Sequence, residues 1–174
     1  MYLLTETASP FALERWAAFF ANFGQFAKGF FYTLGISIGA LIVALLLGFI
    51  FGAMSSTHNK ILRGISRVYV EIFQNTPLLV QFVVVFYGIS ILTDGHVMIP
   101  ISLTAILCVG VYTGAYISEI IRTGIEAVPK GQTEAALSQG FTYADTMRII
   151  ILPQAVRTIL PPLTNQVVNL IKNT

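Results

Sequence analysis

Three stretches without a single charged side chain decide what this chain can become. No Asp, Glu, Lys or Arg occurs between Lys28 and Lys60, between Glu71 and Asp94, or between Asp94 and Glu119. Each stretch exceeds the ~20 apolar residues that a helix needs to cross a ~30 Å hydrocarbon core. Three such helices in succession cannot all be buried inside a globule of 174 residues, so the chain reads as an all-α integral membrane protein. Composition agrees, with 55% hydrophobic and 10% charged residues, against ~25% charged in an ordinary soluble domain.

Other classes fall away quickly. The lone Cys108 permits no intrachain disulfide, and a net charge of +2 without a basic run gives no footprint for nucleic acid. The N-terminus is not a secretory signal, because Glu6 and Glu14 occupy the place of a basic region and no small-residue cleavage site follows. No Gly-x-x-x-x-Gly-Lys-Ser/Thr loop is present, so the sequence offers no phosphate loop of its own for ATP. His58 and His96 are assigned to opposite sides of the membrane below, and neither stands in a cluster of Asp and Cys that would suggest a metal or nucleophile site. No catalytic or metal site is therefore expected.

Along the chain, Ser9 and Pro10 form a helix-start signal, serine as cap and proline at the first helical position. The following segment to Ala27 mixes Trp16, Phe19, Phe20, Phe23 and Phe26 with Glu14, Arg15 and Gln25. It is too polar to span and suits the membrane interface, where rings are favoured, so residues 1–28 are expected to form an extracytoplasmic interfacial segment. Spans are expected at about 29–54, 72–93, 97–118 and 149–171. The first carries Gly35-x-x-x-Gly39 and Gly48-x-x-x-Gly52, small pairs that admit a neighbouring helix. The loop after the first span holds Lys60, Arg63 and Arg67, the loop after the third holds Arg122, Lys130 and Arg148, and the turn at Asp94 holds neither residue type. Positive charge marks both of those loops as cytoplasmic and leaves the N-terminus outside, with Arg15 and Lys28 weighing weakly against.

The segment 119–148 is long for a simple connection. After Pro129 and Gly131 it has no breaker from Gln132 to Gln139, then Gly140, the residue best suited to a left-handed cap, then Thr142 with Asp145 three positions on. This predicts a helix, a sharp glycine turn and a second helix, with a small-residue surface at Ala135 and Ala136 that could fit a groove in a partner.

Glu134, Ala135, Ala136, Gly140, Ile150, Leu152 and Pro153 match the "EAA" signature, EAA-x3-G-x9-I-x-LP, at every fixed position. On these residues the chain resembles the transmembrane permease subunits of binding-protein-dependent ATP-binding-cassette (ABC) importers, with the type I transmembrane fold. Phe73-Gln74-Asn75-Thr76-Pro77-Leu78-Leu79-Val80-Gln81 and Tyr116-Ile117-Ser118-Glu119-Ile120-Ile121-Arg122 are similar to the polar amino-acid branch of that family. The resemblance implies a bacterial cytoplasmic membrane location, coupling to a separate ATPase through the EAA loop, ATP and Mg bound on that partner, an extracytoplasmic amino-acid-binding protein, and a second permease copy or paralogue. Family members continue through a fifth helix. Against that pattern the sequence reads as truncated after Asn173-Thr174 and is not expected to act alone.

Polar residues inside spans are expected to face a pathway, since hydrocarbon does not tolerate them without partners. In the fourth stretch Pro161 and Pro162 deprive the carbonyls of Arg157 and Thr158 of helical donors, which suggests a broken helix at a cavity. Asn165, Gln166 and Asn169 share one face and either meet substrate or bond a neighbouring helix. Tyr112, Tyr116 and Glu119 form a second stripe, although Glu119 has Arg122 as an alternative partner. Gln74, Asn75 and Gln81 either line the inner mouth or satisfy the backbone near Pro77. In relatives that carry basic amino acids the resemblance places a carboxylate where this chain has Gln166. An amide there favours glutamine- or glutamate-like cargo over arginine or histidine. An ion-coupled transporter or channel would need charged relays inside the first three spans, and these have none.

Overall fold

The computed structural model describes residues 13–174. The helix start expected at Ser9 and Pro10 lies outside the described residues. Every regular element among the described residues is helical. The chain divides into a unit ending at Gly35 and a unit from Ile36 to Thr174.

The first unit holds α1 (Leu13–Ala21) and the opening turns of α2 (Phe23–Ser55). Asn22 separates them, its side-chain amide donating to the Ala18 carbonyl at 2.8 Å. Rings gather here as expected, with Phe19 5.5 Å from Phe20 and 5.0 Å from Phe26 between centroids. Phe23–Lys28 is continuous with the long helix α2, so the helix starts six residues before the boundary expected at Gly29. Nothing in that stretch breaks a helix, and one lysine near its end does not stop propagation.

In the second unit α2 presents Ala40, Ala44, Gly48 and Gly52, every fourth residue, as a buried stripe. The turn that follows leads to α3 (Lys60–Asn75), whose first N–H groups are capped by the Asn59 side chain at 2.9 Å and 3.4 Å. The second expected span is not one helix. α3 ends at Asn75, Thr76 is extended, and α4 (Leu78–Val83) departs at 99°. Pro77 is the cause, since its ring disfavours helical geometry in the residue before it. A π-helical turn at Val84–Gly88 and α5 (Ile89–Leu92) complete the segment. A turn with Asp94 and Gly95 at φ 49° and 78° then reverses the chain.

Helix α6 (Ile101–Glu126) runs eight residues past the boundary expected at Ser118. No breaker occurs before Pro129, and Arg122 reaches Glu119 and Glu126, one turn away on either side. After α7 (Lys130–Ser138), α8 (Tyr143–Asp145) and a π-helical stretch Thr146–Ile151 feed into α9 (Leu152–Asn173). α9 continues through Pro161 and Pro162 without a break. Two missing donors weaken it locally, but the φ that proline enforces is itself helical.

By length and apolarity α2 and α6 each suffice to cross a membrane, and the bent α3–α5 segment passes the same test only when its two arms are taken together, as a broken span or a re-entrant loop. α9 is long but carries Arg157, Lys172 and five side-chain amides, and falls short of that apolarity. The core lies where α2, α6 and α9 meet, around Ala44, Ile117, Ile121, Ala155 and Ile159.

Candidate functional site: a coupling turn and a polar stripe

The turn after α7 is built by backbone bonds that only a left-handed residue permits. Gly140 stands at φ 87°, its N–H bonded to the Leu137 carbonyl at 3.0 Å, and Phe141 N–H reaches Ala136 at 3.1 Å. These two bonds form a Schellman cap. Thr142 then starts the second helix, its hydroxyl accepting from Asp145 N–H at 3.2 Å and donating to the Asp145 carboxylate at 2.5 Å. Here the carboxylate accepts a hydrogen bond from the hydroxyl, whereas in an ordinary capping box it would accept one from the Thr142 N–H.

Glu134 and Ala135 are exposed on α7, whereas Ala136 is buried. The small-residue surface expected at both alanines is therefore Ala135 alone, since Ala136 packs inward. Thr146 and Ile151 are also buried, while Leu152 and Pro153 remain exposed at the start of α9. His58, in the α2–α3 turn, meets Tyr143 edge to face at 5.0 Å. His58, Tyr143, Thr146 and Ile151 line a cleft of about 660 Å³ together with Glu134.

The other candidates sort by partner. The Gln81 amide donates to the carbonyls of Phe73 at 3.1 Å and Thr76 at 2.9 Å, so of its two readings the geometry gives backbone satisfaction at the Pro77 break. Gln74 donates to the Ala115 carbonyl at 3.2 Å and ties α3 to α6. The Tyr112 and Tyr116 hydroxyls lie 3.1 Å apart, one turn apart on α6. Glu119 is engaged by Arg122, which also bonds Glu126 at 2.5 Å. On α9 Gln166 is half-buried and Asn165 and Asn169 are exposed. Among the described residues their amides have no hydrogen-bond partner, and they are not joined to the α6 stripe.

Sequence reasoning passed over Glu71 and Glu126, and used Arg63 and Arg67 only for orientation. All four line one polar cleft between α3 and α6. The signal was available: residues 63, 67 and 71 recur every fourth position and so share a helix face.

Against known proteins, residues 44–174 match the family of binding-protein-dependent transport system inner membrane components. A probable glutamine ABC transporter permease of Bacillus subtilis is 42% identical over 157 residues, covering 88% of this chain and 70% of that protein. A glutamate/aspartate import permease of Escherichia coli K12 is 37% identical over 160 residues, covering 86% and 65%. A crystal structure of an amino acid ABC transporter with histidines superposes with TM-score 0.80 at 32% identity, covering 95% of this chain and 73% of that one. The matched region contains the EAA signature and the whole α6–α9 core, and the chain belongs to the family of binding-protein-dependent transport system inner membrane components, multi-pass proteins of the membrane.

Proposed function

We propose that this chain forms membrane-spanning structure of an ATP-driven importer for a polar amino acid, glutamine or glutamate being the favoured cargo. The observation that carries the reading is the exposed α7, closed by Gly140 and followed by the Thr142-capped helix. Such a rigid projection suits a groove on a separate ATPase. α7 is joined to α6 through Pro129 and to α9 through a continuous helical stretch, and α6 packs on α9 where Gly124 meets Ile159. A displacement of α7 by nucleotide-driven closure would therefore move α6 and α9 as one body, which is what alternating access requires.

In this reading ATP and Mg are held by the partner ATPase, and the permease itself performs no chemistry. An extracytoplasmic amino-acid-binding protein delivers cargo, and a second permease copy or paralogue completes the pathway. The N-terminus faces outward in the bacterial cytoplasmic membrane: the Lys- and Arg-bearing segments after the first and third apolar stretches favour the cytoplasmic side, and the turn at Asp94 carries neither residue type. Support for the cargo comes from the glutamine and glutamate/aspartate relatives and from the neutral amide of Gln166. The test is reconstitution of the full-length permease with its ATPase and binding protein in proteoliposomes. Glutamine or glutamate should stimulate ATP hydrolysis and accumulate inside. Accumulation of arginine or histidine with neither of these would replace the cargo, and hydrolysis that no amino acid stimulates would reject the reading.

A further inference from the structure

A cleft of about 480 Å³ opens between α3 and α6. Arg63, Arg67, Glu71 and Gln74 line it from α3, and Glu119 and Arg122 from α6, with Glu126 at its edge. Three guanidinium groups face three carboxylates, so the formal charges cancel. A phosphate or an anionic headgroup would be drawn to a net positive cleft, and a cationic ligand to a net negative one. A balanced cleft with both signs suits a ligand that carries both.

The charges are not equally occupied. Arg122 is bonded to both Glu119 and Glu126 within α6. On α3 the Arg67–Glu71 contact is long, 3.9 Å, between side chains that are 78% and 64% exposed, and such pairs hold together weakly. Arg63 has no ion pair among the described residues. Arg63 and Arg67 are thus available to a carboxylate and Glu71 to an ammonium. The Gln74 amide, whose N–H is committed to Ala115, keeps its oxygen for a donor on the ligand. The wall on which Gln74 lies is tied directly to α6, which leads through Pro129 into α7.

We propose that this cleft is a low-affinity release subsite for a zwitterionic amino acid on the cytoplasmic face, an inference that rests on the amino-acid importer reading above. Arg63 and Arg67 receive the α-carboxylate and Glu71 the α-ammonium. The exposure of these groups keeps the interaction weak, so that cargo leaves to the cytoplasm.

The experiment uses the complete transporter in nanodiscs, with Cys108→Ala and Val70→Cys, since Val70 lines the cleft. Labelling by an anionic thiol reagent is timed with and without millimolar glutamine. Glutamine at twice its dissociation constant should slow labelling about threefold. Glutaminamide, which lacks the carboxylate, and 4-carbamoylbutanoate, which lacks the ammonium, should leave the rate unchanged. Adding Arg63→Gln and Arg67→Gln should abolish protection, and labelling of Thr57→Cys, outside the cleft, should not respond to glutamine. Protection by inorganic phosphate or by 4-carbamoylbutanoate as strong as by glutamine would make this an anion site and overturn the proposal. Unchanged labelling in a complex that still imports glutamine would overturn the subsite alone, and a complex that imports no amino acid would remove both readings.

Discussion

A Cβ added to Gly48 of α2 would lie 2.4 Å from Cγ2 and 2.6 Å from Cβ of Ile117 on α6. No side chain fits in that interval, so the two backbones approach as closely as they do because position 48 has none. Gly48→Val should therefore cost about 1–3 kcal/mol of stability, whereas Gly64→Ala, in open space, should cost little. Thermal unfolding of the detergent-solubilised transporter reads both. Equal midpoints for the two variants would show that the α2–α6 seam is not held at Gly48.

The break at Pro77 depends on Gln81, whose amide bonds two carbonyls left by the end of α3. Gln81→Met keeps the volume and removes both donors. With two carbonyls losing a partner, the expected loss is about 1–3 kcal/mol, seen as a lower unfolding midpoint together with faster proteolysis near the bend. A midpoint like that of the parent would mean that other groups or water satisfy those carbonyls equally well.

What could be read from sequence was local, and what could not was tertiary. Gly140, Thr142 and Asp145 announce their turn because each acts on backbone within a few residues. Ala135 and Ala136 look alike in sequence, and only the packing of α7 over the core exposes one and buries the other. Of the four glycines in the two pairs of α2, Gly39, Gly48 and Gly52 meet α6, while Gly35 has nothing within 4 Å. The pattern is identical, but the crossing point of two helices is set elsewhere in the chain. The two π-helical turns have no composition cue, and the double proline misled because its effect on donors is easier to see than its compatible φ.

Gly140 at φ 87° has open space around it, so the objection to a side chain there is conformational and not steric crowding. Gly140→Val should strain the turn by about 1–2 kcal/mol or more. Asn, which tolerates the left-handed region, should be milder. The Val variant should still insert, with binding-protein-stimulated ATP hydrolysis reduced and the Asn variant intermediate. Normal hydrolysis and uptake with Val would remove this turn from coupling.

Orientation is tested at the two ends of the spans. In a Cys108→Ala background, Thr57→Cys in whole cells should be shielded from an impermeant thiol reagent and His96→Cys should react. His96 is preferred to Gly95, because Gly95 sits at φ 78° and a side chain there adds strain. Reaction at position 57 with protection at 96 would invert the topology and place the coupling turn outside.

Gln166 is half-buried on α9 beside Asn165, with Asn169 one turn further on the same face. None of the three amides has a partner among the described residues, so each keeps donors and acceptors for a substrate or for a neighbouring helix. A cationic side chain brought into a low-dielectric passage loses hydration that only an opposite charge offsets well. An amide can accept from and donate to another amide, and can donate to a carboxylate, but it supplies no charge. Gln166→Glu should thus shift the complete transporter toward arginine. With matched binding proteins for each substrate, the arginine-to-glutamine uptake ratio should rise about tenfold, the effect of ~1.4 kcal/mol of differential interaction. Because the binding protein is supplied separately for each cargo, delivery does not mask the permease. An unchanged ratio at equal insertion would take Gln166 out of the pathway and leave its amide to a neighbouring helix.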